Sequence, residues 1–310
     1  MDIYGISSIF CFFVGTPFNI MSYAYFHSRE QSSESILFIY SLISVTDTVI
    51  CALSLAPMVS YILAGGPGIF GGPLPCTLWD ILMEVFVRYS LILVAILGVC
   101  RARALIYPLR IFCRQRIGWV AKGVLFLLLL QETLPTIILM EFSTYVPDRL
   151  SCHFFGLEAV LTPLQTMIFK LVTFFGEIGV PMVVGGVTGG LCFYELVVKD
   201  DKYESDVTAV QKKKKREATK TIVIVTGLSV LLNLPIVCFA TAFSLEVRMS
   251  TRTILIGVDL ASSLVVLNSV FNSLIYYFRI KRMRLFAKRL IMDKAPCSRT
   301  TPAVTDKNET

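Results

Sequence analysis

The stretch SVTDTVICALSLAP, residues 44–57, sets Asp47 among oily neighbours. A carboxylate there is costly unless it is paired, hydrated or protonated. Residues able to answer it recur at comparable depths in other apolar segments: Asn19, Ser90, and, in LNSVFNSLIYY, Asn268, Ser269 and Asn272. Asn268 and Asn272 are four apart and share a helix face, with Ser269 beside them. Together these oxygens could hold a small hard cation or an ordered water network. Polar residues that only help helices associate are the duller alternative. A second group is Glu84 and Arg88, spaced to pair on one helix face. Glu177, Lys170, Gln131 and Glu132 fall at similar depth in other segments, so a polar cavity or a set of internal ion pairs would form there. The third is Arg101, in AILGVCRARALIYPL, where an apolar helix turns basic with no turn signal.

None of these sets makes an enzyme. The chain has no Gly-rich phosphate loop, no HExxH and no Cys-x-x-Cys pair. Its two histidines, His27 and His153, are expected on opposite sides of a membrane, which argues against a histidine metal centre. The only cofactor the residues suggest is the cation near Asp47.

The elements that must position these groups follow from composition. Over 310 residues the hydrophobic share is 55%, and charged residues reach only 16%, against roughly 25% in a soluble globular domain. Mean hydropathy is +0.70. Seven segments approach the roughly 20 apolar residues needed to cross a bilayer: 4–26, 36–63, 78–106, 117–140, 166–198, 220–245 and 253–278. The expected fold is an all-α membrane protein, a seven-transmembrane helix bundle over residues 4–278. A short N-terminus, 1–3, precedes it. Residues 279–291, with Phe278, Leu285, Phe286 and Leu290 in one stripe, predict an amphipathic cytoplasmic helix lying on the membrane, and 292–310 a disordered tail.

Charge sets the orientation. Of the 29 Lys and Arg residues, Arg88 and Lys170 lie inside segments, and only Arg149, Arg248 and Arg252 fall at the alternate breaks after segments two, four and six. The positive-inside rule therefore puts Met1 outside and the tail in the cytoplasm. The net charge of +7 arises from this asymmetry, so a nucleic-acid partner is not implied. The run 212–216, KKKKR, would meet anionic membrane lipids or an acidic cytosolic partner. Of nine cysteines, only Cys76 and Cys152 fall on the oxidising outer side, so a disulfide between them is expected.

Pro57, Pro135, Pro181 and Pro235 should bend their helices. Gly185/Gly189 and Gly186/Gly190 permit close helix contact.

The ordered series of these residues resembles the rhodopsin-like family of G-protein-coupled receptors over roughly residues 9–290. Cys100, Arg101 and Ala102, followed by Pro108 and Leu109, stand where the family has Asp-Arg-Tyr and Pro-Leu. Asn19, Asp47, Trp119, Pro181 and Pro235 match family positions in helices one, two, four, five and six. Residues 272–276, NSLIY, with Asn272, Ser273 and Tyr276, match Asn-Pro-x-x-Tyr. Cys76 and Cys152 match the outer disulfide. Asp47, Ser90, Asn268 and Asn272 match the family's sodium-site positions.

The resemblance implies a plasma-membrane receptor that transmits binding of an extracellular small molecule or short peptide to a heterotrimeric G protein, with Arg101 meeting that protein. An arrestin-type partner at the tail is a further implication. Cys100 replaces the acid that restrains the arginine, so that restraint is weakened or supplied elsewhere. Ala102, Ser273, Asn233 and Gly189 replace the family's tyrosine, proline, tryptophan and tyrosine. Met83 stands where amine receptors carry an aspartate, which disfavours a biogenic amine. Met83, Glu84, Arg88, Glu177 and Asn233 are the expected ligand-facing residues. The departures suggest an orphan or chemosensory type. They also motivate an alternative, a receptor-like binding protein that does not couple; a channel or transporter has only the buried charges in its favour.

Overall fold

In a computed structural model of the chain, the structure describes residues 3–30, 35–64, 73–106, 119–130, 178–198, 209–244 and 250–293. These are almost entirely helical. In chain order they form α1 (Ile3–Phe10), a π turn (Cys11–Gly15), α2 (Thr16–Glu30), α3 (Ser35–Ala64), α4 (Pro73–Ile106), α5 (Trp119–Leu130), α6 (Val180–Val198), α7 (Ala209–Ser244), α8 (Thr251–Arg279) and α9 (Lys281–Asp293). Among the described residues six helices are long and apolar enough to cross a membrane, and α5 is a shorter apolar helix.

The first span is one rod made of α1, the π turn and α2. The Thr16 N–H reaches back five residues to the Cys11 carbonyl. Pro17 follows at once. A proline ring crowds the carbonyl four residues back, and the wider π turn gives it room. Pro57 creates a different problem in α3: without an N–H it leaves the Leu53 carbonyl without its usual helical partner. The Trp79 indole N–H of α4 donates to that oxygen at 2.9 Å, so the next span satisfies it.

Helix ends differ from the hydropathy reading most at α7. It begins at Ala209, ahead of residue 220, and carries the 212–216 basic run as helix. Lys, Arg, Glu and Ala are strong helix formers, so the helix continues past the apolar stretch. Ser250 caps α8, its hydroxyl accepting from the Thr253 N–H at 3.1 Å. Ile280 then breaks the helix in an extended conformation, its N–H still bonded to the Tyr276 carbonyl, and α9 starts beyond it.

Packing closes a ring. α2 lies on α3, α3 on α4, α4 on α6 and α7, α6 on α7, and α7 on α8, which returns to the first span and α3. The main apolar core joins Phe26, Ile43, Leu93, Leu97, Val225 and Tyr276, with Ala121 and Leu128 of α5. A smaller one holds Cys11, Ile50, Cys51, Met83, Val266 and Val270. Serine and threonine hydroxyls along the spans mostly bond to carbonyls three or four residues back, which satisfies them without water.

Only Phe286 of the expected apolar stripe packs inward. Met283 and Ala287 are buried and Phe286 packs on Tyr25, whereas Phe278, Leu285 and Leu290 are exposed. The inward face is therefore set by positions 283, 286 and 287. The expected fourth and fifth segments lie only partly within the described residues, as do the N-terminus and the tail; Pro135 falls outside them.

Candidate functional site

The bundle brings two polar clusters to its axis. In the first, Asp47 of α3 is fully buried. Ser90 of α4 donates to its Oδ1 at 2.8 Å, and Asn272 of α8 donates to its Oδ2 at 2.9 Å. Ser269 of α8, also buried, lies near the same carboxylate. Three helices thus converge on one carboxylate. Asn19 of α2 sits one step away: its Nδ2 donates to the Ser269 carbonyl at 3.0 Å and lies 3.9 Å from the Cys51 Sγ. Ser273, buried, bonds back to the Val270 carbonyl at 2.9 Å. Two buried oxygens, Asn19 Oδ1 and, one turn before Asn272 on α8, Asn268 Oδ1, have no hydrogen-bond donor. Acceptors left in such a place have the chemistry to take a water or a cation.

The second cluster lies near the end of α4. Arg101 is only 9% exposed, so it does not snorkel out along the helix. Its Nε and Nη2 both donate to the Thr219 Oγ1 of α7, at 3.0 and 2.6 Å. Tyr40 of α3 and Cys192 of α6 lie within its electrostatic reach. Tyr40 in turn stacks on Phe26 with ring centroids 4.9 Å apart and meets Tyr276 edge-on at 4.9 Å. Cys100 and Ala102, flanking the arginine, are both buried. At the rim, Arg279 of α8 donates to Glu217 of α7 at 2.9 Å, and Lys220 approaches the same carboxylate at 3.4 Å.

The remaining predicted residues are less concentrated. Glu84 and Arg88 form the expected ion pair along α4. Met83 faces away from that pair, buried in the smaller apolar core. Asn233 is buried and donates to the Ser229 carbonyl of its own helix at 2.7 Å. Trp119 is 71% exposed on α5, with the Lys122 ammonium 5.8 Å from its ring centre. Pro181 follows a π turn at 178–179 and is buried; Pro235 is half-buried inside α7. Glu177, Lys170, Gln131, Glu132 and Cys152 lie outside the described residues, and nothing is described of the Cys76 side chain, so the expected disulfide is outside them too.

Sequence reasoning missed Thr219, Tyr40 and the Glu217–Arg279 bridge. It also missed the Trp79 bond, for which a signal existed: a helical proline frees the carbonyl four residues before it, and Trp79 is an apolar residue with one donor to spare.

The family model of the seven-transmembrane receptors of the rhodopsin family matches residues 19–276. The chain belongs to that family. The match begins at Asn19 and ends at Tyr276, so it encloses both clusters. The receptor is a multi-pass membrane protein, and its family is one of receptors rather than enzymes. No curated protein matches the chain significantly.

Proposed function

We propose that this receptor couples binding of an extracellular small molecule or short peptide to activation of a heterotrimeric G protein, with Met1 outside and the tail in the cytoplasm. The observation that carries the reading is the Arg101–Thr219 contact. A guanidinium is buried at the end of one span and held by a hydroxyl on another. Such a contact is exchangeable: if α7 moves away, Arg101 becomes a donor for a protein partner. In this reading Thr219 contributes to the restraint that Cys100 cannot provide. Ligand recognition would involve Met83, Glu84, Arg88, Glu177 and Asn233, and a ligand must favour one helix arrangement to signal.

We infer a sodium ion at the Asp47 cluster. Asp47, Ser90 and the undonated Asn268 Oδ1 supply the hard oxygens such an ion takes, and Asn272 orients the carboxylate. A bound cation would supply charge compensation for Asp47. A Cys76–Cys152 disulfide, an arrestin-type partner at the tail and contact of α9 with membrane lipid belong to the same proposal.

The test is G-protein recruitment by the full chain in cells, with and without candidate ligands. Ligand-independent recruitment is expected, and Arg101→Ala should reduce it at equal surface display. Unchanged recruitment in that variant would remove Arg101 from the mechanism. No recruitment across a broad G-protein panel would favour the non-coupling receptor, a reading motivated by Cys100, Ala102, Gly189 and Asn233.

A further inference from the structure

Gly189 stands where the family places a tyrosine, and the structure shows what fills the space. A Cβ added at Gly189 of α6 would lie 2.8 Å from the Thr226 Oγ1 of α7. One added at Gly98 of α4 would collide with the Thr188 Oγ1 of α6 and come 3.6 Å from the Thr226 Cγ2. Four small residues thus form one node at which α4, α6 and α7 meet backbone to side chain.

Neither threonine can easily step aside. The Thr226 hydroxyl bonds back to the Ile222 carbonyl at 2.8 Å, and the Thr188 hydroxyl to the Val184 carbonyl at 2.7 Å. Changing χ1 of these branched side chains would give up those bonds in a buried setting. Thr226 lies seven residues, about two helical turns, beyond Thr219, so both project from one face of α7. That face meets α4 twice: Thr226 at Gly98 and Thr219 at Arg101.

We propose that the Gly98–Thr188–Gly189–Thr226 node is a docking seat that holds α7 in its closed position, with Thr226 its positioning residue. The node is the fixed point and Arg101–Thr219 the contact that releases. The exchange of tyrosine for Gly189 is then not a missing activation residue but half of a matched pair with Thr226. A methyl group at Gly189 separates α6 from α7 and opens the Arg101 end. Removing the Thr226 side chain unseats the helix by leaving the notch empty. Making both changes refills the notch and restores the closed form. The consequence for signalling rests on the proposed G-protein coupling; the seat itself does not.

Purified full-length receptor in lipid nanodiscs, with reactive background cysteines replaced, is spin-labelled at positions 103 and 216. Distances between the labels are measured by pulsed electron resonance. Gly189→Ala should raise the population of the long-distance form about tenfold, within the range of overpacking effects. Thr226→Ala should raise it by a smaller factor, and the double variant should return it toward the original value. Gly98→Ala should open α7 as Gly189→Ala does. An unchanged distance distribution in both Gly189→Ala and Thr226→Ala overturns the seat. So does a double variant as open as the sum of the singles. If Gly189→Ala does not fold, Thr226→Ala alone decides, and unchanged distances there overturn it. Distances that follow this pattern without G-protein activation in any variant support the seat and defeat the coupling reading.

Discussion

The Asp47 cluster and the Arg101 cluster lie on the same bundle axis but have diverged to different degrees. Around Asp47 the residue types keep the family pattern, and Ser90 and Asn272 each bond to one oxygen of the carboxylate. Around Arg101 both flanking residues depart from it: Cys100 and Ala102 replace an acid and a tyrosine. The difference has a physical origin. A fully buried carboxylate has few solutions, because each oxygen needs a donor and bulk water is absent. A guanidinium has five N–H donors and can be held by many acceptors on the facing helix. One hydroxyl on α7 is sufficient to engage two of them.

The sharpest way to break this contrast is to remove Asp47. Asp47→Ala leaves Ser90 and Asn272 without their common acceptor. The expected cost is about 3 kcal/mol, the upper range for orphaned buried groups, read as a lowered melting temperature of the purified receptor. Asn272→Ala in the same background should cost little more, since its partner is already gone. Additive losses would show that the three helices do not meet at this carboxylate.

At the other cluster the effect should be smaller and appear in signalling instead of stability. Thr219→Val keeps the shape but removes this acceptor. A hydrogen bond to a charged group contributes roughly 1.5 kcal/mol, so ligand-independent G-protein activation should rise about tenfold. Thr219→Glu offers the arginine a carboxylate and should push basal activity below that of the parent. If both variants signal like the parent, Thr219 is not the restraint.

A third measurement returns to Asp47. Replacing choline by sodium should raise the melting temperature, with a stabilisation of about 1 kcal/mol at concentrations a few times above the dissociation constant. Asn268→Ala, which removes the oxygen left without a donor, should abolish the sodium effect while leaving the choline melting point nearly unchanged. Equal sodium effects in both proteins would remove that oxygen from the ligand set.

The two regions were also unequally legible in the sequence. The helix bundle is visible because hydrocarbon forces long apolar runs, and the family match agrees with it. The partners of Asp47 could be named because few residue types can answer a carboxylate at that depth. Thr219 could not be singled out from Thr221 and Thr226 on the same helix. All three are threonines near a basic run, and only the rotation of α7 sends Thr219 to Arg101 while Thr221 bonds back to the Glu217 carbonyl. Helix α7 begins ahead of the apolar stretch for a related reason: hydropathy marks where a helix enters the membrane, and the basic run at 212–216 keeps the helix going beyond that point. The matched pair at Gly189 was invisible because a glycine notch has no sequence signature until the helix that fills it is known.

The smallest expected effect lies at the rim, where Arg279 of α8 meets Glu217 of α7. Both side chains are substantially exposed, at 32% and 49%, so solvent and salt screen the pair. Its contribution should be no more than about 0.5 kcal/mol. Arg279→Gln should therefore raise basal activation by about twofold at most, with an increase seen at low ionic strength and lost at high salt. The Arg101–Thr219 contact is buried, so the Thr219→Val effect should survive the same salt range. Arg279→Gln matching Thr219→Val in size, or both fading together with salt, would mean that the rim bridge rather than the buried hydroxyl restrains α7. The contrast between the two clusters would then rest on surface charge, not on which acceptor Arg101 uses.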